Sequence, residues 1–216
     1  MSILQQLREL IPRRPLHDDE ARFIVERQAG LLRRLSGLPD DPLLPRSVIE
    51  DLPKVNVVAD PHLPSSGASH WTGSLWQITI NAGEPFTRQR FTLAHEFQHI
   101  ILHPFVDEMF AGSSRTTAEA RAEQLCDYFA ACLLMPKLLV RQAWVSGGDN
   151  QNPDILARLF GVSTPAMQLR LRQLGLLTSA QRCRSQPRSY YRRSARQSLD
   201  EDRRATTMVA VGPGGD

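Results

Sequence analysis

Arg90-Phe-Thr-Leu-Ala-His-Glu-Phe-Gln-His-Ile-Ile-Leu-His103 is the stretch on which the reading of this chain turns. Its apolar spacing is helical, predicting one helix from Phe86 to His103 that Pro104 ends. Within it, His95-Glu-Phe-Gln-His99 forms an HExxH pattern. Two histidines four residues apart leave the same helix face about one turn from each other. Their ring nitrogens can then each stand about 2.0–2.1 Å from a single zinc ion. Glu96 is rotated by about 100° from His95 around the helix axis. It can reach a water on the same ion, the place of a general base. Phe91, Leu93, Ala94, Ile100 and Ile101 supply the apolar anchoring of this helix.

HExxH also arises by chance on unrelated helices, so the third ligand decides. The residues after His99 do not follow the metzincin xxGxxH continuation. His103 lies a further turn along the same face, and three histidines in line on a straight helix converge poorly on one ion. A carboxylate from the next helix is the better donor. That helix is expected from Thr116, where Thr116-Thr-Ala-Glu119 matches a capping box, to about Leu134. Its candidates are Glu119 and Glu123. Glu123 precedes Asp127 by four residues, so a glutamate on the metal and an aspartate holding a ligand histidine share one face. Leu125, Phe129, Ala130 and Leu133 mark the helix as mostly buried, where a carboxylate needs a partner. Two histidines, one glutamate and an open position are the composition of catalytic zinc.

Outward from this core, His17–Leu38 reads as a helix, Arg46–Leu52 as a short one, and Val55–Ala59 as a strand. Pro61–Gly67 reads as a loop. Ser74–Asn81 alternates, with Trp76, Ile78 and Ile80 on one face, and is expected to be a half-buried strand. Val106–Ser114 is expected to be a loop. Pro136 opens a helix that runs to about Trp144. Two short helices, Pro153–Phe160 and Thr164–Leu174, flank Gly161-Val-Ser163. Periodicity ends after Leu177. The expected organisation is a body over 1–148, a helix-turn-helix-like pair over 149–177 packed on it, and a disordered Arg/Ser-rich tail over 178–216.

The chain has 216 residues, 41% hydrophobic and 23% charged, ordinary for a soluble globular protein with one main core. No stretch is apolar enough to span a bilayer, and Met1–Arg14 does not read as a signal peptide. Three cysteines without CxxC spacing argue against a disulfide framework and a zinc ribbon. Cys126 and Cys132 read as buried small hydrophobes. The expected compartment is the cytoplasm. The net charge of +3 is unevenly spread. Residues 178–216 hold eight arginines and four acids, while the other 177 residues hold 18 basic and 19 acidic groups. The body is therefore no nucleic-acid platform. The tail, with Tyr190-Tyr191 among its arginines, is either a flexible extension or an arm making weak nucleic-acid contacts.

The two long motifs, Arg90–His103 and Glu123-Gln-Leu-Cys-Asp-Tyr-Phe-Ala-Ala-Cys-Leu-Leu-Met-Pro136, resemble those of the ImmA/IrrE family of bacterial metallopeptidases. The resemblance extends to Ile78-Thr-Ile-Asn81 and to Leu159–Leu174, covering roughly 15–177. Cys126 stands at the family's usual alanine and Asp127 at its usual asparagine. The resemblance implies an α+β, mostly helical, zincin-like fold with a small sheet beside the HExxH helix. It implies zinc on His95, His99 and Glu123, with Glu96 as catalytic base. It also implies a cytoplasmic endopeptidase that cleaves a helix-turn-helix repressor and so relieves repression. In zincins the strand before the active helix usually takes the substrate as an added strand, which would be Leu75–Ile80 here, through Trp76, Ile78 and Ile80. For the oxyanion, His70, His62, Tyr128 and Arg90 are candidates. The rival readings are a non-catalytic zincin scaffold that binds a repressor or DNA, and one partner of a toxin–antitoxin pair.

Overall fold

Nine helices and three strands make up the described residues, 1–148 and 151–177 of the computed structural model, in an α+β arrangement. They are α1 (Ile3–Arg8), α2 (Asp18–Leu35), α3 (Ser47–Glu50), β1 (Val55–Asp60), β2 (Gly67–Trp71), β3 (Trp76–Asn81), α4 (Phe86–Leu102), α5 (Val106–Met109), α6 (Arg115–Leu134), α7 (Lys137–Ser146), α8 (Pro153–Phe160) and α9 (Thr164–Gln173). The expected tail over 178–216 and Cys183 lie outside the described residues. No described helix is long and apolar enough to cross a membrane.

The sheet has the order β1-β3-β2, with β3 parallel to β1 and antiparallel to β2. This adds a strand where none was expected and corrects one expectation. Gly67–Trp71 is a strand, although its Gly, Ala, Ser and His show no β-forming pattern; its extended backbone comes from pairing with β3. And β3 is the central strand, not an edge. Both its sides are hydrogen-bonded, and Ile78 and Ile80 are wholly buried. A substrate strand cannot add to Trp76, Ile78 and Ile80. Among the described strands the free edges are those of β1 and β2.

α4 packs on the sheet against β2 and β3, and its other flank meets α6, which in turn packs on α2. The buried apolar face of α4 (Leu93, Phe97, Ile100, Ile101) explains the position. Phe97 meets Phe129 of α6 at 6.4 Å between ring centres. A buried amide chain, Gln98 donating to Gln28 (3.1 Å) and Gln28 to the Leu7 carbonyl (3.0 Å), ties α4 to α2 and α1. α6 begins at Ser114, whose hydroxyl accepts from the Thr117 amide, rather than at a Thr116 capping box. Glu119 pairs with Arg115 one turn back instead. The loop expected at Val106–Ser114 contains the one-turn α5, anchored by buried Met109 and Phe110.

A second buried cluster joins α7 to α8 and α9 through Val140, Trp144, Leu156, Phe160, Met167 and Leu171. Arg90, 3% exposed, fastens this part to α4. Its guanidinium donates to the carbonyls of Phe160, Gly161 and Leu44. Gly161 has φ +62, and a Cβ there would collide with the same guanidinium. Arg90→Leu would take this donor from three carbonyls, two of them in buried hydrogen bonds. At about 1 kcal/mol or more each, the expected loss is about 3 kcal/mol, read from the midpoint of urea unfolding. A loss under about 1 kcal/mol would mean that these carbonyls find other donors.

Candidate metal centre

α4 presents His95 and His99 to α6, which brings Glu123 and Asp127 to meet them. His95 Nε2 and His99 Nε2 are 3.1 Å apart. Glu123 reaches both, Oε2 at 3.4 Å from His95 Nε2 and Oε1 at 3.2 Å from His99 Nε2. Four donors at about 2.05 Å on a tetrahedral ion stand about 3.3 Å from one another, so this set fits the edges of a zinc coordination shell. The other ring nitrogen of His95 is 3.0 Å from Asp127 Oδ1, the arrangement that orients a ligand imidazole.

The charges bear on the same point. Burial alone would depress the His95 pKa, but its hydrogen bonds with Asp127 and Glu123 outweigh burial and push it up to about 10. Burial would raise Glu123, but both imidazoles hold it well below the usual carboxylate range. The carboxylates thus draw a positive charge between them, which a proton or a divalent cation can supply.

Of the other third-donor candidates, Glu119 is paired with Arg115 at 2.8 Å and His103 packs edge-on against Trp76 at 5.1 Å. Cys126 is a nearby donor that the sequence reading passed over. Its sulfur and one ring nitrogen from each of His95 and His99 lie within 4.8 Å of one another. Burial pushes its thiol well up, with Glu123, Glu96 and Asp127 adding to the effect. That disfavours the thiolate a metal takes, and ionised Glu123 is the stronger donor. Cys126 and Cys132 are both buried and form no disulfide.

Glu96 is 7% exposed, and Ser69 of β2 donates to its Oε2 at 2.9 Å. Gly67, two residues earlier on the same face of β2, lets the strand approach α4. A Cβ there would collide with Thr92 Cγ2 and come within 3.1 Å of Glu96 Cγ. Neither Ser69 nor Gly67 was legible before β2 was known to be a strand. These groups open into a cleft of about 990 Å³ between β2 and the α5–α6 side. His70 lines it. The other oxyanion candidates do not. Arg90 is spent on buried carbonyls, the Tyr128 hydroxyl turns to Glu26, and His62 is exposed in the turn after β1.

The model of the IrrE N-terminal-like domain (peptidase M78) matches residues 53–172. Among solved structures, a Mycobacterium tuberculosis transcriptional regulator is similar in fold, with a TM-score of 0.54 and 18% identity. The alignment covers 79% of this chain and 52% of that one, so the chain spans about half the length of the regulator. No curated protein gives a significant match. The matched segment runs from before β1 into α9 and holds the strands, both histidines of α4 and the carboxylates of α6; the chain belongs to the IrrE N-terminal-like family of M78 metallopeptidases.

Proposed function

We propose that this chain is a zinc-dependent endopeptidase, acting in the cytoplasm on a regulatory protein, a helix-turn-helix repressor above all. His95, His99 and Glu123 hold the metal, Asp127 orients His95, and Glu96 is the catalytic base. The observation that carries this reading is the spacing of the two imidazole nitrogens, 3.1 Å, and of each from one oxygen of Glu123, 3.4 and 3.2 Å, beside a buried glutamate. The fold around it is read as zincin-like, with α8 and α9 as a helix-turn-helix-like pair on the body.

A divalent cation held by His95, His99 and Glu123 would supply Lewis acidity to the scissile carbonyl and to a nearby water. Glu96 would act as the base that takes a proton from the attacking water. Its Oε2 is engaged by Ser69, which leaves Oε1 free to hold the proton and hand it to the departing amine. The role assigned to β3 passes to β2, whose outer edge can accept an extended peptide as a fourth strand over the cleft.

Ser69→Ala removes the side-chain hydrogen bond that the base accepts from β2. A hydrogen bond to a charged group is worth about 1.5–3 kcal/mol. The expected result is a fall in kcat of about tenfold or more with zinc content unchanged; an unchanged kcat would remove Ser69 from the positioning of Glu96.

The reading is tested by mass-spectrometric mapping of new protein N-termini in cells producing the wild type or Glu96→Gln. A cut within a helix-turn-helix repressor, present only with the wild type, supports it. Identical termini in both strains would leave the non-catalytic regulator in front.

A further inference from the structure

Beyond the donors, the cleft has an aromatic end. Gly67, Ser69 and Trp71 alternate on one face of β2, and the first two stand over Glu96. Trp71 therefore lies about 7 Å further along the same face. α4 runs beside it in the same sense, with His99 and His103 each about 6 Å beyond the previous histidine. At that end Trp71 pairs across the ladder with Trp76, ring centres 5.4 Å apart, and Trp76 stands edge-on to His103. Val106 and Phe110 close the opposite wall. Trp71 is 46% exposed. An indole so placed in a concave, mostly apolar corner beside a reactive centre is what ligand pockets present. Arg115, the one arginine or lysine among the described residues that line the cleft, is already paired with Glu119, which weakens it as a partner for an acidic side chain.

We infer that the Trp71–Trp76–His103 corner is a specificity subsite for a large apolar side chain next to the bond being cut. The inference rests on the metallopeptidase reading. A peptide added to the β2 edge advances about 3.4 Å per residue. With its carbonyl beside Glu96, a side chain one or two positions away lies over Trp71.

The test separates subsite from metal. The full chain loaded with zinc is titrated calorimetrically with acetohydroxamate, which has no side chain, and with the hydroxamates of N-acetyl-phenylalanine, N-acetyl-leucine and N-acetyl-lysine. The phenylalanine and leucine compounds are expected to bind about tenfold or more tighter than acetohydroxamate. In Trp71→Ser, a change at a half-exposed ring that leaves the core intact, that ratio is expected to fall towards one. Equal affinity for all four compounds, tightest binding of the lysine compound, or a preference that survives in Trp71→Ser would overturn the subsite while the metal reading stands. Failure of acetohydroxamate itself to bind would overturn the metallopeptidase reading and the subsite with it.

Discussion

Glu123→Ala is expected to lower the zinc content of the purified chain from about one ion to a small fraction of that after dialysis. Elemental analysis reads the result directly. The reason is geometric. Glu123 is the acidic group that reaches both ring nitrogens, and it faces two imidazoles that already hold it ionised. Even residues that only orient a ligand cost about 10–100-fold in affinity when changed, and a directly bound carboxylate should cost more. Heat provides a second readout. Zinc at about 100 times its dissociation constant stabilises a folded chain by about 2.7 kcal/mol. The wild type should therefore melt higher with added zinc, and Glu123→Ala should not. Cys126→Ser is the companion variant and is expected to keep its metal. Zinc retained in Glu123→Ala but lost in Cys126→Ser would transfer the third position to the sulfur.

Glu96→Gln is expected to reduce peptide hydrolysis by about a thousandfold while zinc content stays at the wild-type level. General acid–base groups contribute about 10²–10⁴ in rate. Glutamine keeps the shape and can still accept from Ser69, but it cannot take a proton from water. The variant thus separates chemistry from binding. A rate within tenfold of the wild type would show that some other group takes the proton, and metal loss in this variant would show that Glu96 supports the centre structurally.

The helices that carry the chemistry were legible because their information is local. The apolar spacing around His95 and His99 and the proline at 104 bound α4 to within a residue of its expected end. α8 begins and ends where Pro153 and Gly161 suggest, because proline starts a helix well and glycine tolerates the left-handed stop. The sheet was less legible. β3 alternates and was expected, yet its place at the centre depends on a partner, β2, with almost no β-forming residues of its own. Ser69 and Gly67 were invisible for the same reason, since a hydroxyl or a glycine in a stretch without alternation indicates no direction.

The spacing of residues along the chain determined by itself that His95 and His99 face the same way, that Glu96 stands beside them, and that Glu123 and Asp127 share a face of a second helix. These follow from 3.6 residues per turn. Resemblance, not spacing, preferred Glu123 to Glu119. Only the packing of α4 between the sheet and α6 decided which carboxylate meets the imidazoles, which strand edge stays open, and that Arg90 is a buried fastener rather than a cleft residue. The physical reason is that helical periodicity sets the angle at which a side chain leaves its own axis, while the distance to a group on another element depends on how the two elements dock, which is set by the whole buried surface between them.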